Sequence, residues 1–379
     1  MQWFKVPTLV ALCLGLSASL PSAALTQPYR HFDWQEVAPG VWFGLARSDD
    51  FQAGNVAIIT LPSGGSMVVD TQDADFLGRE ILDKAKEVGH GAVRYVVDTD
   101  LHQDIAGGNA AFVRDNPKVQ VIAHRNTCAE YPQKTIPRMH DRLPGLKQRL
   151  SELQATRAQM TESDQGAAAL DHRIEGLKLY VQDAKNFQWA MPNVCLDLKP
   201  GQKKVITDGD RRVEIHYFGR AHTTGDLVVF LPKEKVAMVG DLWGQGSSYE
   251  FLNAGLDGRD GSVLETPLTL EAVRQLDFDT ALTGHSPIVH GKGSLDDAIS
   301  NGKQVVAQIK GAYDRGETVT ELLQKMPLAK NTPAATDTPT PTQTFFADVW
   351  RTVVINGYEE IQFRDQLGMA LPSAKIAHN

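Results

Sequence analysis

The sequence is poor in cysteine: Cys13, Cys128 and Cys195 are the only three in 379 residues. Three thiols are too few for a disulfide scaffold or a thiolate metal cluster, so a metal site here has to draw on imidazoles and carboxylates. The chain also lacks a basic surplus, with 38 Lys and Arg against 46 Asp and Glu and a formal net charge of −8. A protein that holds a phosphate backbone needs a basic face, so no nucleic-acid partner is expected. Long apolar runs are scarce too. The run from Val6 to Leu20 is shorter than the ~20 residues that span a bilayer, and it contains Pro7. Apolar residues in short stretches are abundant, at 42% of the chain, and so is glycine, with 32 residues. That composition excludes wholesale disorder and suits a large core with many tight strand-to-loop turns.

The first residues read as an address. Lys5 precedes the apolar run, and Pro21-Ser22-Ala23-Ala24 follows it with small residues at the expected cut. A basic start, a short apolar core and small residues before cleavage are the pattern of a secretory signal peptide, here residues 1–24. An uncleaved anchor and a buried first helix are the competing readings. Cys13 follows Leu12, where a lipid-attachment site would have a small residue. The expectation is an exported protein, periplasmic or secreted, with no stable membrane insertion after cleavage and a small molecule as its substrate.

From Gly40 to Asp70 short β-branched runs alternate with Gly and Pro turns: Val41–Leu45, Asn55–Thr60, then Ser66–Asp70 after Pro62-Ser63-Gly64-Gly65. Phe76 to Val88 has helical spacing and Val93–Asp98 is again a strand, which makes a βαβ-type unit. Leu146, Leu150, Leu153 and Met160, and after a polar turn Leu170, Ile174, Leu177, Val181 and Ala184, mark two amphipathic helices forming a hairpin over residues 126–190. Strand texture returns at Val205–Thr207, Val213–Phe218, Leu227–Leu231, Val236–Val239 and Thr280–Thr283. Ser294-Leu295-Asp296-Asp297 reads as a capping box opening a helix to about Tyr313. Thr318 to Met326 predicts a short helix, 327–343 a Pro/Thr-rich linker, and Thr344 to Phe363 a further helix. The main domain is expected over residues 30–300, with a helical extension over 301–379.

Several chemistry-bearing residues share one kind of position, just past the end of a predicted strand. They are Asp100-Leu101-His102-Gln103-Asp104, then His222 in Ala221-His222-Thr223-Thr224-Gly225-Asp226, Asp241 after Gly240, and His285 after Gly284. Rigid strands can deliver such loop residues to one point, and mixed imidazole and carboxylate donors suit Zn, Fe or Mn, whereas calcium prefers nearly all oxygen. Each residue also has a plainer reading alone: Asp104 as a helix N-cap, Gly240-Asp241 as a turn, His285 as a loop histidine and His102 as a surface residue. Asp226 reads as the organiser of the turn after His222. Trp243, Tyr249 and Phe251 read as packing or as the wall of a pocket.

The order of these segments resembles the metallo-β-lactamase-fold hydrolase superfamily over roughly Gly40 to Pro287. The resemblance is carried by Asp70, the Asp100–Asn109 loop, Ala221–Asp226, Gly240-Asp241 and Gly284-His285, with His222 and Asp241 nineteen residues apart. It implies an αββα four-layer sandwich, with the helical hairpin inserted and a helical C-terminal extension. It also implies one or two divalent metal ions, Zn first, with Fe or Mn as the other choices. One ion would take Asp100, His102 and His222, with Asp241 bridging to a second held by Asp104, Asp241 and His285. The chemistry implied is hydrolysis of a small ester, lactone, lactam, thioester or related substrate by a metal-bound hydroxide, with Asp104 orienting it as the catalytic residue.

The pattern departs from the superfamily in its metal loop. Where that loop reads His-x-His-x-Asp-His, this chain has Asp100-x-His102-x-Asp104-Ile105. A carboxylate can replace imidazole as a ligand, but isoleucine cannot coordinate, which leaves the second ion one donor short. Asp100, Asp104 and Asp241 bring three negative charges. Such anionic ligands weaken a metal as a Lewis acid and favour Mn or Fe relative to a His-rich zinc site. Ile105 therefore supports an alternative: a catalytically degenerate, metal-poor member of the fold that binds a small molecule or a protein. Finally, Cys128 and Cys195 flank the hairpin. Export permits a disulfide between them, and two free buried thiols are an equal alternative.

Overall fold

A computed structural model describes residues 31–47, 54–245, 260–326 and 341–373 of the chain, without the side chains of 139–140 and 341–348. The expected signal peptide, Tyr249, Phe251 and linker residues 327–340 lie outside the described residues.

Strand β3 (Val56–Thr60) shows why two layers form. Side chains alternate across a strand: Val56 and Ile58 join one buried cluster, while Ala57 and Ile59 join another. Both faces are apolar, so both must be covered. Strands β1 (Phe32–Ala38), β2 (Val41–Ala46), β3, β4 (Ser66–Val69), β5 (Val93–Val97), β6 (Gln120–His124) and β7 (Val194–Leu196) lie in sequence order in one sheet. Neighbours are antiparallel from β1 to β4 and parallel from β4 to β7. The second sheet holds β8 (Gln202–Asp208), β9 (Arg211–Tyr217), β10 (Leu227–Leu231), β11 (Val236–Gly240), β12 (Thr280–Thr283) and β13 (Val289–His290) in the order β13-β12-β11-β10-β9-β8. Its neighbours are antiparallel except β11 and β12, which are parallel.

Inward residues of the two sheets meet in one core: Ile59, Met67 and Val97 from the first, Ile215, Val229 and Leu231 from the second. Each such fully buried side chain contributes roughly 1.5–3 kcal/mol. Helices α1 (Asp75–Gly89) and α3 (Asn109–Asp115) cover the outer face of the first sheet, joined there by α6 (Ala167–Lys185) through Leu177 and Tyr180. Helices α7 (Thr266–Val273) and α8 (Gly293–Asp314) cover the outer face of the second. The result is the expected αββα sandwich. Short helices α2 (Gln103–Ala106) and α4 (Arg125–Glu130) lie in loops after β5 and β6. Among the described residues no helix is long and apolar enough to cross a membrane.

The helical hairpin is α5 (Thr135–Ala158) and α6, placed between the adjacent strands β6 and β7. Leu146, Leu150 and Leu153 pack against the α1–α6 cluster, as their spacing predicts. Cys128 on α4 and Cys195 on β7 are joined as a disulfide, with Cα atoms 6.2 Å apart. Helices α8, α9 (Val319–Lys325) and α10 (Pro341–Gln366) form a satellite core with Val263 and Leu264, and Trp350 Nε1 donates to the Met326 carbonyl at 3.0 Å.

Two local expectations are corrected. Ser294 does not cap α8, because that helix starts two residues earlier than such a cap would place it, at Gly293, with Lys292 at its N-cap and no side-chain cap bond. The capping box sits instead at Thr318 and Glu321, where both reciprocal bonds form and α9 begins. The linker ends before Pro341, which opens α10; proline is tolerated in a first turn because its missing N–H has no partner there anyway. Strands β1, β6, β7 and β13 had no clear signal in the sequence. The last two are three and two residues long, and tertiary pairing alone makes them strands.

The disulfide closes a 67-residue span, for which chain entropy gives about 4 kcal/mol as an upper figure. Reductant is therefore expected to lower the urea midpoint of the purified protein. A Cys195→Ser variant should unfold at that lower midpoint with or without reductant. An unreduced wild type already at the variant's midpoint would mean the bond does not form.

Candidate metal centre

The site is assembled where the two sheets present their loops at one edge. Asp70, just past β4, adopts the left-handed backbone region at φ 64°, which Asp tolerates better than most residues. Its carboxylate accepts from Thr99 N at 2.9 Å and Thr99 Oγ1 at 3.0 Å, and so holds the loop after β5 in place. Asn55 does the same between sheets: its N–H donates to Gly284 O at 2.6 Å and its side-chain amide to Thr283 O and Ser286 O at 3.0 and 2.9 Å. In the turn after His222, Asp226 accepts from Thr223 N at 3.0 Å and Thr223 Oγ1 at 2.6 Å, which is the organising role expected of it. Gly284 leaves room for the Asp241 carboxylate, which a Cβ at this position would have to displace.

These supports bring the six candidate residues together in two groups that share one carboxylate. Asp100, His102, His222 and Asp241 each offer a ligand atom within 4.8 Å of the others, and so do Asp104, Asp241 and His285. His102 Nδ1 lies 2.9 Å from His222 Nε2 and 3.6 Å from Asp100 Oδ1. Asp241 Oδ2 stands 3.5 Å from His222 Nε2 and 3.0 Å from His285 Nε2, between the groups, and His285 Nε2 is 3.3 Å from Asp104 Oδ2. Ligands ~2.1 Å from one ion in tetrahedral array sit about 3.3–3.5 Å apart, so spacings of 2.9 to 3.6 Å could hold an ion with small adjustments.

The electrostatics agree with a cation there. Burial drives the Asp100 carboxyl well above its usual range, His102 opposes this, and Asp241 and Asp226 add to it. Burial also pushes on Asp104 and Asp241, but the adjoining His285 outweighs it and holds both below the usual carboxylate range. Burial in turn disfavours a charged His285, yet Asp241 and Asp104 prevail and raise its pKa well above the ordinary imidazole value. Asp100 Oδ2 and Asp241 Oδ1 are buried without a hydrogen-bond partner. Unmet carboxylate oxygens beside imidazole nitrogens fit a divalent ion, which satisfies in one step what the protein leaves open.

One plainer reading, Asp104 as a helix N-cap, does not hold, and another, Trp243 as packing, does. Asp104 lies in the first turn of α2, whose N-cap is His102, and no side-chain cap bond is made. Ile105 is fully buried and its carbonyl accepts from Thr71 N at 2.6 Å, so the position that carries a histidine in the superfamily's loop is spent on packing. Trp243 is fully buried under the second sheet's helices. The sequence reading missed Asp260, which approaches His102 Nε2 at 3.3 Å. It also missed the supporting residues Tyr131, Lys134, Arg138 and Arg142 at the start of the helical hairpin. Nothing local marks them, because their contacts are with distant segments: Tyr131 with Asp98 and Asp100 and Arg142 with Gln103, 31 to 39 residues away, and Lys134 and Arg138 with Asp260, more than a hundred away.

Gly284→Ala is expected to displace the Asp241 carboxylate and weaken zinc binding by about tenfold or more, with the circular-dichroism spectrum unchanged. Chelator competition reads the affinity, and wild-type affinity in this variant would remove Asp241 from the centre.

No family model matches the sequence, and no curated protein matches it significantly. Solved structures do. The metallo-β-lactamase FIM-1 from Pseudomonas aeruginosa in its mono-zinc form is similar at 16% identity, with a TM-score of 0.51, over 72% of this chain and 95% of that one. A metallo-β-lactamase from Pontibacter korlensis is similar at 16% identity and a TM-score of 0.50, over 72% of this chain and 99% of that one. Another from Erythrobacter litoralis gives 17% identity and 0.50 over 73% and 98%. The resemblance read from the strand-end motifs thus extends to the whole sandwich: this chain has the metallo-β-lactamase fold.

Proposed function

We propose that the protein is an exported metal-dependent hydrolase acting on a small ester, lactone, lactam, thioester or related substrate. The observation that carries this reading is the pair of donor groups sharing Asp241 at the loop edge of a metallo-β-lactamase fold. Asp100, His102, His222 and Asp241 would hold one ion, and Asp104, Asp241 and His285 a second. Zinc is the first expectation, and the carboxylate-rich donor set also suits Fe or Mn. When bound, such ions supply Lewis acidity toward a carbonyl or phosphoryl oxygen and toward water. Asp104, kept anionic beside His285, is suited to accept a hydrogen bond from the attacking water and aim it, rather than to retain its proton. Export is supported by the N-terminal pattern and by a disulfide, which persists in oxidising compartments.

The first group has four donors and the second three, so the two are unequal. Protein recovered from the periplasm or medium, with Leu25 at its N-terminus, is expected to carry at least one equivalent of metal when purified without chelator. It should hydrolyse a member of an ester, lactone, thioester and lactam panel, lose turnover on chelation and regain it with zinc. His102→Ala and His222→Ala should lose both metal and turnover. Less than one equivalent of any transition metal, with no gain on reconstitution, defeats the reading. Buried Ile105 favours the second reading that outcome would leave, a metal-poor module binding a small molecule or protein.

A pH dependence follows from His285. Asp241 and Asp104 raise its pKa above the ordinary imidazole value, so the metal-free ring keeps its proton to higher pH than a free imidazole, and a ligand must shed that proton to bind an ion. Affinity at the three-donor group should therefore rise with pH and level off only once the raised pKa is passed, at a higher pH than an ordinary imidazole of ~6.5 would give. Zinc binding at pH 7 should release a proton, measured by calorimetry in buffers of different ionisation enthalpy. His285→Ala should abolish that release.

A further inference from the structure

We infer that Asp260 is the positioning residue of the centre: its carboxylate holds the His102 ring with hydrogen on Nε2, so that the Nδ1 lone pair faces the donor group. The inference rests on the metal-centre reading above and adds to it a residue outside both donor groups.

The geometry is specific. Asp260 is 1% exposed, and its Oδ2 lies 3.3 Å from His102 Nε2. The same carboxylate is gripped by two cations from the hairpin: Arg138 Nη1 donates to Oδ2 at 2.6 Å, and Lys134 Nζ stands 3.0 Å from Oδ1. A carboxylate between two cations stays ionised and can only accept, so it can face only a ring nitrogen that bears hydrogen. The other ring nitrogen, Nδ1, is then left as the acceptor, and it is the one 2.9 Å from His222 Nε2. A ligating histidine is oriented, and its tautomer fixed, by whatever its second nitrogen bonds.

Two parts of the chain that the sandwich does not require hold Asp260 there. Lys134 stands at the N-cap position of α5, and Arg138 lies one turn in. Two more residues of this stretch touch the metal loop: Thr135 Oγ1 donates to Leu101 O, and Arg142 Nη1 to Gln103 Oε1 at 2.8 Å. From the other side, Ser262 N donates to Ala221 O at 2.9 Å and Arg220 Nη2 to Gly261 O at 2.7 Å, next to His222. A Cβ on Gly261 would strike the Ala221 and His222 carbonyls, so only glycine lets the segment come this close. Ser262 Oγ donates to Glu360 Oε1 of α10 at 2.7 Å, which ties the C-terminal helix to the same segment. Hairpin and C-terminal helix thus converge on one imidazole through one carboxylate.

The test uses the full mature protein and zinc as the probe. Long-range proton–nitrogen correlation spectra of the metal-free wild type should show His102 as the Nε2–H tautomer, its signals assigned by their loss in His102→Ala. An Nδ1–H tautomer overturns the proposal. Asp260→Asn should weaken zinc binding by about 10–100-fold in chelator competition and lose the single tautomer, with an unchanged circular-dichroism spectrum. If that variant does not fold, the Lys134→Gln/Arg138→Gln double variant replaces it. Removal of the clamp should then weaken zinc by roughly tenfold, and wild-type affinity with the wild-type tautomer would overturn the assignment. A wild type that binds no zinc defeats the metal reading as a whole. A wild type that binds zinc, with Asp260→Asn binding it equally well, defeats the role of Asp260 alone.

Discussion

Asp70, Asp98, Asp100, Asp226, Asp241 and Asp260 are all buried around the loop edge of the sandwich, and an ionised carboxylate removed from water costs several kcal/mol unless something compensates it. Much of the local structure can be understood as that compensation. Asp70 accepts twice from Thr99 and Asp226 three times from Thr223. Burial pushes Asp98 up to about 7, against hydrogen bonds from Asn109 and Tyr131. Asp260 has its two cations. Asp100 and Asp241 each keep a buried oxygen that no hydrogen bond meets, and these two lie beside the imidazoles.

The division of labour among the carboxylates follows. Asp70 and Asp226, with donors on both oxygens, shape the loops. Of the carboxylates that keep an oxygen without a hydrogen bond, Asp98, Asp100, Asp241 and Asp260, the two in the donor groups, Asp100 and Asp241, are those a cation would complete. Asp241 stands between two histidines and belongs to both donor groups, which couples the groups through a single side chain. The glycines at 240 and 284 make room for this convergence. Gly240 sits at φ 52° against Thr99, and Gly284 against Asp241 itself. Close approach of backbone to a charged side chain is a place where a methyl group cannot be accommodated.

Much of the centre was legible because its donors follow strands, and strands announce themselves by alternating apolar residues. His222, Asp241 and His285 each come a fixed few residues from a readable strand, so their meeting could be inferred from order. The hairpin was legible from its leucine spacing. The capping box at Ser294 was misread because its local pattern was right and the helix simply began earlier, while the functioning box at Thr318 had the same kind of signal. Strands β7 and β13 were invisible because pieces of three and two residues have no periodicity to read.

What the sequence determined by itself was the order of strands, the hairpin and the six candidate strand-end donors, since each depends on local pattern and chain order; the sandwich was what the resemblance carried by those motifs implied. Only the tertiary structure decided which groups stand behind them. Arg138 and Asp260 are 122 residues apart and His102 and Asp260 are 158 apart, and no local rule links such positions. It also decided between a disulfide and two free thiols, by bringing Cys128 and Cys195 to bonding distance across the hairpin. And it placed Ile105 wholly in the interior, so that a missing histidine became a piece of core. The candidate donors are marked by where strands end; their partners are chosen by the need to neutralise buried charge, and that need exists only once the chain has folded.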